Sequence, residues 1–103
     1  MTCAVETLEG VIRIRGEMTI YAAAALKDEL FAALAANADV SSIDLNGVSE
    51  LDTTGVQILM MASRLCESRG AALSFANPSV TAREALELLP VPGLTSPSEV
   101  PAP

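Results

Sequence analysis

The chain reads as a single small α/β domain, a mixed sheet of four to five strands with helices packed mainly on one face. Three observations predict it. Segments with the two-residue alternation of strands interleave with segments of helical period, in the order strand, strand, helix, strand, helix, strand, helix. Strands separated by helices imply parallel neighbours joined by right-handed crossovers, whereas the first two strands, separated only by Glu9-Gly10, form a hairpin and make the sheet mixed. The 103 residues, half of them hydrophobic, suffice for one core.

Each element has a local reason. Val5 to Leu8 is a short strand. From Val11 to Gly16 apolar and polar residues alternate, with Ile12 and Ile14 inward and Arg13 and Arg15 outward. Gly16-Glu17-Met18-Thr19 breaks the pattern. Ile20 to Asn37 is alanine-rich and free of Gly and Pro, and Leu26, Leu30, Ala33 and Leu34 form one apolar stripe. Asn37 suits a helix end. Tyr21, at the start of this helix, reads as a surface anchor lying over the core. Ser41 to Asn46 is the third strand. A second helix follows from about Thr54 to Ser68, apolar over most of its girth, with Gln57, Arg64 and Glu67 as a narrow polar edge and Gly70 as its stop. Of Met60 and Met61, Met61 lies nearer that edge and is the better candidate for contact with a partner. Ala71 to Ala76 reads as a small apolar strand, placed centrally. A third helix, Ala82 to Leu89, is capped by Ser79 or Thr81. Residues 1–93 form the domain, and the proline-rich residues 94–103 form a poorly ordered tail.

Composition narrows the function classes. A net charge of −7 opposes nucleic-acid binding and an anionic membrane face. The absence of histidine excludes His-ligated zinc and Ser-His-Asp catalysis. Cys3 and Cys66 share no motif spacing and read as reduced thiols. Asp44, Glu50 and Asp52 lie near one edge without a fourth ligand pattern, and they read as solvated charges rather than a metal site. Arg13 and Arg15 read as the exposed side of a strand, with no phosphate cradle. No catalytic residue, metal or cofactor is assigned. No apolar run reaches membrane-spanning length. No signal peptide is read, so a cytoplasmic location is expected.

One stretch combines an acid, two hydroxyls and a glycine at a helix start: Leu51-Asp52-Thr53-Thr54-Gly55-Val56-Gln57. Such an end offers unpaired backbone N–H groups and a positive dipole end. Thr54 to Gln57 matches a capping box, with Thr54 as the N-cap. On that reading Thr53 lies just outside the helix with its hydroxyl free, and Gly55 lets a neighbour approach closely. On these residues alone, ordinary helix capping is the favoured account.

Taken with its flanks, the stretch resembles the STAS domain family, which includes bacterial anti-sigma factor antagonists and domains of sulfate transporters. The resemblance covers roughly residues 5 to 95. It rests on Leu45-Asn46 followed by Leu51 to Val56, on Ile14-Arg15-Gly16-Glu17-Met18, and on Ala71 to Val80. It implies a non-catalytic protein-binding switch. Thr53 would be the residue phosphorylated by a partner kinase, and Asp52, Thr53, Thr54, Gly55, Gln57 and Met61 would form the partner surface. The partner would be an anti-sigma factor or serine/threonine kinase, with weak homodimerisation as a further possibility. Two alternatives stay open. Small STAS subunits of lipid-transport ABC complexes touch an ATPase through a comparable threonine without phosphorylation, and chemotaxis-associated relatives also use threonine. The chain departs from the family pattern at Thr19, where an Asp is common, and at Thr53, where Ser is more usual.

Overall fold

The computed structural model describes residues 3–88. Within them the order is β1 (Cys3–Leu8), β2 (Val11–Met18), α1 (Ala23–Ala36), β3 (Ser42–Leu51), α2 (Thr53–Ser68), β4 (Ser74–Ala76) and α3 (Val80–Leu88). The four strands form one sheet in the order β1-β2-β3-β4, with β1 antiparallel to β2 and the other neighbours parallel. The mixed α/β fold is therefore as the sequence implies, with four strands. Leu89 and the expected tail lie outside the described residues.

Alternation decides which face of the sheet is covered. Ile12, Ile14 and Met18 of β2 and Ile43, Leu45 and Val48 of β3 are buried, while Arg13, Arg15, Asn46 and Gly47 are exposed. Helix α1 contributes Leu26, Leu30 and Leu34 to the core, and α2 contributes Val56, Ile58, Leu59, Ala62 and Cys66. Both helices end as their sequences suggest. The backbone N–H and the side-chain amide of Asn37 both donate to the Ala33 carbonyl. After α2, Gly70 N–H donates to Glu67 O and Ala71 N–H to Cys66 O, the paired bonds of a Schellman stop. The Arg69 guanidinium donates to Leu34 O at 2.9 Å and ties the ends of the two helices together.

Three expectations are corrected. The last strand is neither central nor long: it is a three-residue edge strand pairing only with Ser42 to Asp44. Beyond that point Ser79 takes over the free carbonyls of β3. Its N–H donates to Leu45 O at 3.2 Å and its hydroxyl to Val48 O at 2.6 Å. The same hydroxyl accepts from Ala82 N–H and so caps α3, a role the sequence leaves open between Ser79 and Thr81. Second, α1 begins at Ala23 rather than Ile20, because residues 19–22 form a turn closed by Ala22 N–H on Thr19 O. Third, that turn rotates Tyr21 off the apolar stripe: the residue is at the surface as expected, but at 86% exposed it does not cover the core.

Two register shifts between β2 and β3 set where β3 ends. They fall between Arg13 and Arg15 and between Gly16 and Glu17 of β2. Each places an extra residue on β3, as bulges do. The strands nevertheless finish together, Met18 opposite Leu51, so the turn into α2 emerges beside the turn into α1.

The β1–β2 hairpin turn carries a cost. Glu9 and Gly10 both have positive φ, 49° and 80°. Glycine adopts this region freely, but a glutamate there is strained, whereas asparagine tolerates it. Replacement of Glu9 by Asn is expected to stabilise the domain by about 1 kcal/mol, which thermal unfolding reads as a rise of about 4–8 °C for a domain of this size. An unchanged or lower midpoint would refute it.

Candidate functional site

The site is the junction where the β3–α2 turn meets the β2–α1 turn. Asp52, in an extended conformation, is the N-cap of α2. Its Oδ1 accepts from Gly55 N–H at 3.0 Å, satisfying one of the free donors of the first turn. Its Oδ2 accepts from Ile20 N–H at 3.0 Å, across 32 residues of sequence. Its own N–H donates to Met18 O at 3.2 Å. One residue thus caps a helix and fastens the neighbouring loop to it.

This corrects the capping assignment. Thr54 is not the N-cap, and the helix begins one residue earlier, at Thr53. The reason is packing. A Cβ on Gly55 would lie 2.3 Å from Met18 O and 2.6 Å from Leu51 Cδ1, so the first turn of α2 presses directly on the end of β2. That approach brings Asp52 within reach of both N–H groups. Thr53 keeps its exposure and makes no side-chain hydrogen bond to any described residue. Its hydroxyl is left without a capping role for a different reason from the one the sequence suggests: the preceding acid, not the following threonine, carries the cap.

The other expected residues fall on one side of α2. Gln57 is exposed one turn on, and Met61 is exposed a further turn on. Thr54 is half-buried, Gly55 is buried, and Met60 is half-buried against the core. Asp44 and Glu50 do not join Asp52 in a cluster. Asp44 accepts from Asn46 N–H and the Asn77 amide, and among the described residues no group of acids, cysteines or histidines is placed to hold a metal ion.

Sequence reasoning missed three features here. Ile20 and Tyr21 stand exposed beside Asp52; their signal was that neither falls on the Leu26-Leu30-Leu34 stripe. Glu17 and Glu50 are opposite each other in the β2–β3 register, a like-charge pairing that opposes the sheet. The Thr19 hydroxyl is buried with no hydrogen-bond partner among the described residues.

Two other places are not activated. On the uncovered sheet face a hollow of about 320 Å³ is lined by Arg13, Ile14, Arg15, Asp44, Asn46, Gly47 and Asn77. Arg15 there pairs with Glu6 at 2.9 Å and Asp44 is already hydrogen-bonded, so the charges are largely answered within the chain. Neither thiol is a primed nucleophile. Burial and then Glu29 push Cys3 up to about 11, and burial raises Cys66 against a smaller opposing effect of Arg69.

The fold and the junction together define a small α/β domain presenting a free hydroxyl at the start of a buried helix. The family model described as "Mlab, STAS domain" matches residues 3–96, and the chain belongs to the STAS domain family. Among solved structures it is similar to the anti-sigma factor antagonist SpoIIAA in its unphosphorylated form. The TM-score is 0.60 at 21% identity, over 86% of this chain and 84% of that one, a likeness of fold. No curated protein sequence matches. Among the described residues no helix is long and apolar enough to cross a membrane.

Two outcomes follow from the packing at the junction. Gly55→Ala sets a methyl group against a backbone carbonyl and is expected to cost about 1–3 kcal/mol, seen as a lower urea midpoint; wild-type stability would show that the approach is looser than described. Thr19→Val keeps the shape and removes the unpaired hydroxyl, and a gain of about 1 kcal/mol is expected. Loss of stability would mean that the hydroxyl has a partner.

Proposed function

We propose that the chain is a non-catalytic protein-binding switch of the anti-sigma factor antagonist type, cytoplasmic, and controlled by phosphorylation of Thr53. The observation that supports this reading is the exposed, unbonded hydroxyl of Thr53 on a turn whose capping is already complete through Asp52. A kinase can reach that oxygen without breaking any hydrogen bond of the fold. The partner is an anti-sigma factor or serine/threonine kinase that docks over Thr53, Gln57 and Met61, with Asp52, Thr54 and Gly55 shaping the turn.

The effect of the modification follows from charge and burial. A phosphate adds about −1.5 to −2 charges and three strong acceptors. At the first position of a 16-residue helix the dipole favours it, so the fold tolerates it. A partner packed over the turn would have to take that charge out of water, next to Asp52, and binding is lost.

The second reading is an ABC-transporter subunit that touches its ATPase through Thr53 without covalent control. The same exposed threonine favours it, since a free hydroxyl can serve as a contact as readily as an acceptor. A chemotaxis-associated regulator would use Thr53 as the switch does and differ only in its partner.

Incubation with the cognate serine/threonine kinase and ATP is expected to add one phosphate by mass, located at Thr53 and absent in Thr53→Val. Thr53→Glu is expected to weaken partner binding at least tenfold while leaving the unfolding midpoint nearly unchanged. Stable co-purification with an ATPase–permease assembly and no phosphate would replace the switch by the transporter reading. Collapse of the Thr53→Glu fold would make the turn purely structural.

A further inference from the structure

The β2–α1 loop displays the two most prominent apolar side chains near Thr53. Ile20 is 64% exposed and Tyr21 is 86% exposed, in a chain with only three aromatic residues. Single exposed apolar side chains are ordinary, as at Val80 and Leu88; what sets this pair apart is that the two are adjacent on one turn beside Asp52. Their position is not left to a loose loop. Ile20 N–H is bonded to Asp52, the residue next to Thr53, and Ala22 N–H closes the turn on Thr19 O. Side chains held on a fixed backbone lose little freedom when they bind.

The charged residues of segments 16–26 and 48–60 are all acidic. Glu17 and Glu50 are paired in register at the same end of the sheet, and Glu50 is exposed. None of the six basic residues falls between residues 16 and 26 or between 48 and 60. Both oxygens of Asp52 are engaged within the chain, so Glu17 and Glu50 are the carboxylates left to face outward. A second copy of the chain would bring acid against acid and is disfavoured.

Resting on the switch reading above, we propose that Ile20 and Tyr21 are the apolar anchor of the docking surface. They fit a partner protein that presents an apolar pocket bordered by Lys and Arg side chains, which meet Glu17 and Glu50. Asp52 is then a positioning residue, holding the anchor beside the phosphorylation point. The division of labour follows from interface physics. A buried aromatic at the centre governs how long a complex lasts, while charges at the rim govern how fast it forms. A phosphate on Thr53 lies with the anchor at the centre, where loss of hydration outweighs attraction to the basic rim.

The test measures binding kinetics of the full chain against purified anti-sigma serine/threonine kinases and transporter ATPase subunits from the source genome. Tyr21→Ser combined with Ile20→Ser is expected to weaken the bound partner about 30-fold or more, chiefly through faster dissociation. Both side chains are in water in the free protein, so the unfolding midpoint should not fall. Leu88→Ser, at an equally exposed apolar residue of α3, should bind as the wild type does. Glu50→Gln should slow association at low salt and have no effect at high salt. Asp52→Asn, which keeps one acceptor oxygen for the cap but cannot accept both N–H groups, should lower the unfolding midpoint and, at temperatures where the domain is still fully folded, weaken binding. If a kinase binds and phosphorylates Thr53 while the double variant binds as tightly as wild type, the anchor is refuted and the switch reading survives. If neither a kinase nor an ATPase subunit binds, the switch reading falls and the anchor with it. If the chain self-associates in a way that Tyr21→Ser abolishes, the occupant is a second copy and the basic partner is overturned.

Discussion

The Asp52 carboxylate holds two loops with its two oxygens. One oxygen completes the first turn of α2 through Gly55 N–H, and the other reaches Ile20 N–H at the end of the β2–α1 connection. Both bonds use a charged acceptor, which makes them stronger than neutral ones. The geometry depends on two conditions set elsewhere. The register shifts of β2 against β3 bring both strands to an end at the same level, and the bare Cα of Gly55 lets the helix start lie on the Met18 carbonyl. Given those conditions, the positions of Thr53, Ile20 and Tyr21 all follow from one side chain.

Much of the scaffold was legible because its signals are local. The Ile12-Arg13-Ile14-Arg15 alternation forces one buried and one wet face. Asn37 and Gly70 stop their helices through bonds made within one turn. The junction was legible only in part. Asp52 and Thr54 are both good caps by residue type, and sequence spacing alone favours Thr54 because Gln57 stands three residues on. What decides against Thr54 is a partner 32 residues away and a contact between helix and strand that no local pattern encodes. The fourth strand was overestimated for a related reason: Ala71 to Ala76 has strand composition, but Ser79 supplies β3 with hydrogen bonds from a helix cap instead of a strand.

Exposed residues were the least legible. Tyr21 at the start of an alanine-rich helix reads as a surface anchor lying over the core, since aromatics usually bury most of their surface. The turn at residues 19–22 overrides that tendency by starting the helix late. The buried Thr19 hydroxyl and the Glu17–Glu50 pairing are likewise choices that packing alone would not make. Each sets local stability against something else, and all three lie within one loop and the two strand ends beside it. Local costs occur elsewhere too, as at the positive-φ Glu9 of the β1–β2 hairpin, but at this junction three of them lie together beside Asp52.

The free state of Thr53 has the same origin. A threonine that caps its own helix cannot be modified without loosening that helix, so any charge placed on it would report on folding as well as binding. Here the cap and the exposed threonine are separate residues. Asp52 carries the structural hydrogen bonds, and Thr53, one residue on, carries none among the described residues. A modification at position 53 therefore acts on a surface and not on the core beneath it. The helix dipole, which would oppose a positive group at that point, favours a negative one. The separation leaves the cap of α2 independent of whatever changes at the neighbouring hydroxyl.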